Sequence, residues 1–309
     1  MSAERNLLHW SNLLFAAIVI ASLPITQGGG GAPPPDWFDP AVATIVAQVG
    51  LILIPTLIFV WLTCQPPREI FKLRRISVGS GIKCFLVGLT CWPVLLFLGM
   101  LTQVLIAMVN PAQASGSTNV ASQGGSPWII FLALTLVAPL CEEALCRGLL
   151  LGVYEKRFAA HAIWLVGILF AFLHPSLDQT LGAFFVGAVA GWVVYRTRSI
   201  WAGVLAHMGA NLLPAALVLL ISLAAPGGVE GAAQAGDPGS MIWIGVLVWG
   251  GIGLVMLAPW FFLMRSLGKR YPAPAWPAAR LSLKDLWSFA AAALGTAGYS
   301  IYQLVQGMA

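Results

Sequence analysis

Hydrophobic residues are concentrated in nine stretches, which are separated by short segments rich in polar residues, glycine and proline. The stretches are residues 7–24, 41–64, 84–109, 128–150, 162–174, 181–195, 200–224, 241–264 and, more weakly, 287–305. Most of them are about 20 residues long, enough for a helix to cross the roughly 30 Å hydrocarbon core of a bilayer. The fifth and sixth are shorter, so we expect them to extend into their flanks or to lie tilted. The pattern predicts an all-α, polytopic transmembrane helix bundle of about 8–9 helices.

The composition supports a membrane protein. Hydrophobic residues make up 59% of the 309-residue chain and charged residues only 9%, and the mean hydropathy is +0.87. A soluble globular domain carries about 25% charged residues, so this chain has too few to cover a water-facing surface. The 13 Trp and 33 Gly agree, because Trp anchors helices at lipid interfaces and Gly permits close helix packing. Soluble, disordered and disulfide-rich secreted classes are excluded.

The charges predict the orientation of the bundle. If the N-terminus is cytoplasmic, all of the 16 Lys and Arg residues except Arg147 lie in cytoplasmic loops or at the inner ends of helices. They are Arg5, Arg68, Lys72, Arg74, Arg75, Lys83, Lys156, Arg157, Arg196, Arg198, Arg265, Lys269, Arg270, Arg280 and Lys284. The outer loops instead carry Asp36, Asp39, Asp178, Glu230 and Asp237. Because cytoplasmic loops collect basic residues, the net charge of +5 indicates orientation and not a nucleic-acid partner.

Three ionisable residues lie inside the fourth stretch, where each is costly to bury and is therefore a candidate for function. Glu143 and Arg147 are four residues apart and share a helix face, so they can form an ion pair. Glu142 is rotated about 100° away and lacks that partner. The spacing therefore assigns the two carboxylates different roles: Glu143 is held ionised by Arg147, and Glu142 is available for proton transfer.

Two of the four histidines are also predicted at membrane depth, each with a partner one helical turn away. Phe170 precedes His174 by four residues, and Asn211 follows His207 by four, so each pair shares a helix face. With a rise of about 1.5 Å per residue, these polar residues and Glu142 lie at similar depths. They predict a polar catalytic cavity in the cytoplasmic half of the membrane. A polar cluster that only fixes helix packing is the alternative.

The candidate residues form three short motifs. In chain order they read Glu142-Glu143-x-x-x-Arg147, Phe170-x-x-x-His174 and His207-x-x-x-Asn211. This arrangement resembles the CPBP intramembrane proteases, which include the Ras-converting CAAX endopeptidase and the bacterial Abi-type proteins. The resemblance covers roughly residues 128–215, and the motif positions show no departure from the family pattern.

The resemblance implies a glutamate-dependent endopeptidase that cleaves within or beside the membrane. Glu142 would be the general base that activates a water, and His174 would hold and polarise that water. His207 and Asn211 would donate hydrogen bonds to the oxyanion of the tetrahedral intermediate.

The remaining motif residues would support this chemistry. Glu143 and Arg147 would form an ion pair, and Phe170 would line the pocket or simply pack in the core. No cofactor is expected. Two histidines and two glutamates could be counted as a zinc site, but the chain lacks the H-E-x-x-H pattern. A metal-free mechanism is therefore favoured, and a divalent metal such as zinc stays an open alternative.

The chain is expected to form one membrane domain in three parts. These are N-terminal membrane helices over residues 1–127, a catalytic core over 128–215 and C-terminal membrane helices over 216–309. The expected partners are the lipid bilayer and a peptide or membrane-protein substrate, prenylated (CAAX-like) or not. The expected location is a prokaryotic inner (plasma) membrane.

Two functions without proteolysis stay open. One is a membrane partner such as a bacteriocin-immunity or scaffold protein, although a scaffold has no need of a base together with two oxyanion donors. The other is a proton-coupled transporter in which Glu142 and the histidines relay protons. The chain has no strong internal repeat, which disfavours a transporter built from inverted halves.

Overall fold

The computed structural model describes residues 2–26, 39–110, 125–174, 176–224, 238–275 and 283–305. The main helices in chain order are α1 (Ser2–Thr26), α2 (Pro40–Leu62), α3 (Val78–Val109), α4 (127–158), α5 (Ala162–Leu173), α6 (Thr180–Thr197), α7 (Ile200–Ala224), α8 (Pro238–Arg270) and α9 (Leu283–Val305). A short helical turn, Pro67–Ile70, lies between α2 and α3. The described residues form no β-strand, so the predicted all-α class is confirmed.

Six stretches of the described chain are long and apolar enough to cross a membrane. They are Pro40–Leu62, Val78–Val109, Pro127–Leu173, Leu177–Thr197, Ile200–Ala224 and Trp243–Arg270. The protein is therefore a multi-pass membrane protein. The third stretch combines the predicted fourth and fifth segments. α1 and α9 are helical but are not among these stretches, so a membrane crossing by the predicted segments 7–24 and 287–305 stays a prediction.

The predicted fifth segment is a short α-helix in the structure, within the longer helical stretch Pro127–Leu173. α5 has 12 residues and is therefore only about 18 Å long. A single 3-10 turn, Ala159–His161, separates it from α4, and Ala159 has a positive φ of 48°. At its other end His174 is extended, with φ −100° and ψ 104°. Residue 175 is proline, and the residue before a proline is disfavoured in the helical region, so the helix stops at this point.

α3 and α7 cross at very short range. A Cβ atom on Gly88 of α3 would lie 1.7 Å from the carbonyl oxygen of Ala206 in α7. A Cβ atom on Gly209 of α7 would lie 2.1 Å from the carbonyl oxygen of Phe85 in α3. Only glycine permits these backbones to approach so closely, which is a common way to pack helices in lipid. The crossing sets the height and rotation of α7, which carries two of the candidate site residues.

A buried ion cluster joins the end of α4 to the residues that precede α3 and α7. Glu155 accepts two hydrogen bonds from Arg198, at 2.6 and 2.9 Å, and its Oε1 lies 3.3 Å from Lys72 Nζ. Burial lowers the pKa of Lys72 to about 8, and the nearby Glu155 carboxylate opposes that shift. Lys72 Nζ also lies 3.3 Å from the carbonyl oxygen of Arg147, so the cluster contacts the helix that carries the acidic motif.

A second ion cluster joins α1, α4 and α9. Buried Asp285 accepts a hydrogen bond from Arg157 Nε at 2.9 Å, and its other oxygen lies 3.2 Å from Arg5 Nε. Glu155 and Arg157 both lie at the end of α4, so the two clusters lie close to each other. The charged residues that lie outside the described residues are Asp36, Glu230, Asp237 and Arg280.

Candidate active site

The acidic motif lies in an irregular part of α4. A regular turn, Ala138–Glu143, is preceded by a π-helical stretch at Ala133–Val137 and followed by another at Ala144–Leu150. π-helical turns hold more residues per turn than an α-helix, so they rotate the following side chains and often occur at functional sites. All residues from Cys141 to Leu151 are buried, so this segment forms the centre of the bundle.

Glu143 and Arg147 form the ion pair that their spacing predicts. Arg147 Nη1 lies 2.8 Å from Glu143 Oε1, and both side chains are fully buried, with 0% exposure. Arg147 also donates through Nη2 to the carbonyl oxygen of Gly187 in α6, at 2.9 Å. Breaking such a buried pair from one side is strongly destabilising, so it anchors the acidic motif against α6.

His207 connects the two carboxylates. Its Nδ1 lies 3.1 Å from Glu143 Oε1, and its Nε2 lies 3.9 Å from Glu142 Oε2. An ionised carboxylate only accepts hydrogen bonds, so the contact with Glu143 assigns a proton to Nδ1. Nε2 is then the nitrogen that faces Glu142.

His174 approaches Glu142 from another helix. Its Nδ1 lies 3.1 Å from the carbonyl oxygen of Phe170, and its Nε2 lies 4.0 Å from Glu142 Oε2. A carbonyl oxygen also only accepts, so Nδ1 donates, and the Nε2 of a neutral ring carries a lone pair. The side chain of His174 is 26% exposed, more than that of Glu142 or His207, so access to the cluster lies on its side.

Phe170 packs among the charged and aromatic rings of the cluster. Its ring centroid lies 5.0 Å from that of His174 and 5.4 Å from that of His207, the latter in an edge-on arrangement. The guanidinium carbon of Arg147 lies 4.4 Å from the ring centre, a cation–π distance. Phe170 is only 1% exposed, so it separates and orients these groups from within the core.

Asn211 lies one turn after His207 and contacts the irregular part of α4. Its Nδ2 donates to the carbonyl oxygen of Leu134 at 3.0 Å. Leu134 lies in the first π-helical stretch, so this bond fixes α7 to α4. The amide has two N–H groups, and this contact uses one of them.

The structure brings one further residue to the cluster that the sequence analysis missed. Gln48 of α2 donates through Nε2 to Glu142 Oε1 at 2.9 Å. The residues are 94 positions apart, so no local pattern relates them. Composition could have identified Gln48 as a candidate. Apart from the thiol of Cys64, it is the only amide or ionisable side chain in the apolar stretch 41–64.

Glu142 is left with one buried oxygen that faces the histidines. The residue is 5% exposed, and its Oε2 has no hydrogen-bond partner among the described residues. The distances to the histidine nitrogens, 3.9 and 4.0 Å, are too long for direct hydrogen bonds. Polar contacts of this length are commonly bridged by water.

The two histidines and two glutamates are the residues that a zinc site would use. Across the described part of the chain, no group of three or more His, Cys, Asp or Glu side chains is arranged to hold a metal ion. Two ligands of one tetrahedral zinc lie about 3.4 Å apart. The separations of 3.9 and 4.0 Å between Glu142 Oε2 and the histidine nitrogens are wider than that.

The fold and this cluster define a multi-pass membrane protein with a buried carboxylate between two histidines. Residues 124–213 match the family model described as Type II CAAX prenyl endopeptidase Rce1-like. The match therefore supports the resemblance to the CAAX proteases that the motifs of this segment carry. No curated protein and no solved structure matches the chain.

The match supports a CAAX-type intramembrane endopeptidase in general. It covers less than a third of the chain but includes every motif residue. Gln48 and Lys72 both lie outside it.

Proposed function

We propose that the protein is an intramembrane endopeptidase in which Glu142 activates a water for attack on a peptide bond. The observation that carries the proposal is the arrangement around Glu142 Oε2. This buried oxygen has no hydrogen bond within the described residues, and it lies 4.0 Å from His174 Nε2 and 3.9 Å from His207 Nε2. An ionised carboxylate positioned in this way is suited to act as a general base.

His174 supports the binding of the attacking water. Because its Nδ1 donates to the Phe170 carbonyl, its Nε2 can accept one hydrogen of the water while Glu142 Oε2 accepts the other. The water oxygen then bonds to the scissile carbonyl carbon as Glu142 takes a proton. When the carbon–nitrogen bond breaks, the same proton passes from Glu142 to the leaving amine.

His207 and Asn211 would stabilise the oxyanion. For His207 to donate from Nε2 while Nδ1 stays bonded to Glu143, the ring must carry both protons. Asn211 has a second N–H beyond the one donated to Leu134. In comparable sites each oxyanion donor is worth about 3–4 kcal/mol.

A membrane-associated peptide is the substrate class that fits the fold, and a prenylated CAAX-like peptide is our first candidate. The cluster lies within the apolar bundle, and the side chain of His174 is more exposed than those of Glu142 and His207, so substrate would approach from that side. The basic end of the bundle would face the cytoplasm by the positive-inside rule, with the N-terminus on that side. A prokaryotic inner membrane is the proposed location.

We further propose that no metal takes part. This proposal is supported by the donor set, because the chain lacks H-E-x-x-H. It is also supported by the spacing of the Glu142 and histidine atoms, which is wider than one zinc ion requires. Chelator treatment tests it directly.

The deciding experiment measures cleavage of quenched-fluorescent peptides, with and without a farnesylated CAAX end, by detergent-purified protein. Glu142→Gln should lower turnover by about 100-fold or more, the range for loss of a general base, and should leave the yield of folded protein unchanged. Glu69→Gln is the matched control, because Glu69 is an exposed carboxylate in the turn before α3. A chelator should have no effect.

Variants of the other candidate residues test the separate roles of the water-binding histidine and the oxyanion donors. His174→Ala should also abolish cleavage, and His207→Ala or Asn211→Ala should lower kcat more than they raise KM, as expected for contacts made in the transition state. Wild-type turnover by Glu142→Gln would refute the assignment of the base. Loss of activity in chelator, restored by added metal, would refute the metal-free mechanism. Failure of the wild-type protein on every peptide would favour an immunity or scaffold role.

A further inference from the structure

Gln48 reaches the acidic motif from a helix that lies outside the family match. It begins a π-helical stretch, Gln48–Leu53, in the middle of α2. Such a stretch changes the rotation of the residues that follow, and it often marks a functional position in a helix. The side chain crosses to α4, where its Nε2 donates to Glu142 Oε1 at 2.9 Å.

This contact distinguishes the two oxygens of Glu142. Oε1 is occupied by the amide of Gln48, whereas Oε2 faces His174 and His207 without a hydrogen bond from any described residue. An ionised carboxylate accepts hydrogen bonds only, so the amide nitrogen, and not the amide oxygen, must face it. The carboxylate is therefore held in one rotation about its terminal bond.

The amide oxygen of Gln48 shows that this position is not optimised for packing. Gln48 Oε1 is buried and has no hydrogen-bond partner in the described part of the molecule. A buried acceptor without a partner destabilises the folded state. A residue selected only for packing would be replaced by an apolar side chain of the same shape.

We propose that Gln48 is a positioning residue that fixes Glu142 so that Oε2 alone serves as the base. The inference rests on the proposed role of Glu142. It extends the site beyond the segment 124–213 and makes α2 a part of the catalytic apparatus.

The test uses Gln48→Met, which keeps the shape of the side chain and removes both polar groups. Turnover should fall by about 10- to 100-fold, because misplacing a reacting group by an ångström can reduce the rate by that much. KM should stay the same, since Gln48 contacts Glu142 and not the substrate. Thermal stability should change little, because the substitution removes the unpaired amide oxygen but also takes a hydrogen bond from Glu142 Oε1. A merely structural Gln48 would lose stability and activity together.

Gln103→Met is the matched control. Gln103 in α3 also has a buried side-chain oxygen without a partner among the described residues, but it has no recorded contact with Glu142. Its substitution should leave kcat and KM at the wild-type values. A fall in kcat of equal size in both variants would overturn the proposal.

An infrared measurement tests the contact without any turnover. The carboxylate stretching band of Glu142 is identified by its loss in Glu142→Gln. Gln48→Met should shift this band because the hydrogen bond to Oε1 is removed, and Gln103→Met should not. An unshifted band in Gln48→Met overturns the inference, whatever the activity. If the band shifts in Gln48→Met but the wild-type protein cleaves no peptide, Gln48 still positions the Glu142 carboxylate. The result that fails in that case is the proposed protease function.

Discussion

Replacing Arg147 by Met should destabilise the protein strongly, because the guanidinium compensates a carboxylate that has no access to water. Arg147 and Glu143 are both 0% exposed, and their charged atoms are 2.8 Å apart. Removing one partner of a buried pair typically costs about 3–5 kcal/mol of the free energy of unfolding, since the other charge stays buried. The variant also loses the bond from Arg147 to the Gly187 carbonyl.

The double variant Arg147→Met/Glu143→Leu separates the stranded charge from the lost packing. Replacing both members of a buried pair with apolar residues is often nearly neutral. Here it also removes the partner of His207 Nδ1, and an unsatisfied buried donor costs about 1–3 kcal/mol. The double variant should therefore be more stable than the single variant by roughly 2 kcal/mol.

The assay is reversible unfolding in mixed detergent micelles, followed by the fluorescence of the 13 tryptophans. Arg5→Met is the control, because Arg5 also lies 3.2 Å from a carboxylate, that of Asp285, but its side chain is 41% exposed. The Arg5 side chain is partly exposed, and buried Asp285 keeps its hydrogen bond from Arg157, so this variant should stay close to the wild-type protein. If Arg147→Met loses no more stability than Arg5→Met, or matches the double variant, the reasoning from buried charge is wrong.

Two further predictions concern stability. Gly88→Ala should destabilise the fold in the same unfolding assay, because the added methyl group would lie 1.7 Å from the Ala206 carbonyl oxygen. Gly295→Ala in α9 is the control. No described atom lies within 4 Å of its added methyl group, so it should stabilise the fold by up to about 1 kcal/mol. Burial lowers the pKa of Lys72 to about 8 in the folded state, against 10.5 for the unfolded chain. Between these two pH values the unfolded state binds more protons than the folded state. The free energy of unfolding should therefore rise with pH from about 8 to 10.5. The rise should disappear in Lys72→Met, and an equal rise in both proteins would assign it to another group.

Much of the architecture follows from the sequence because a bilayer imposes simple rules on a helix. Stretches of about 20 apolar residues must become helices, since unpaired backbone groups are too costly in lipid. The orientation that the basic residues indicate stays a prediction, and the ion clusters around Glu155 and Asp285 were not foreseen, because their members come from different helices. The lengths of individual helices were less predictable, as α5 shows by stopping at His174.

The candidate cluster was predictable in part. Ionisable residues in an apolar stretch are conspicuous, and helical spacing relates pairs on the same helix, as it does for Glu143 and Arg147. The spacing gives no information on pairs between helices. The contact of His207 with Glu143 and that of Gln48 with Glu142 join residues that are 64 and 94 positions apart.

The sequence by itself determined the helical class and the pairing of Glu143 with Arg147, because the first follows from hydropathy and the second from helical periodicity. The tertiary structure alone decided which oxygen of Glu142 faces the histidines and which nitrogen of each histidine faces Glu142. Those choices depend on the rotation and height of each helix. In lipid these are set by close backbone contacts such as Gly88 against α7 and by irregular turns in α2 and α4, and not by the burial of apolar surface.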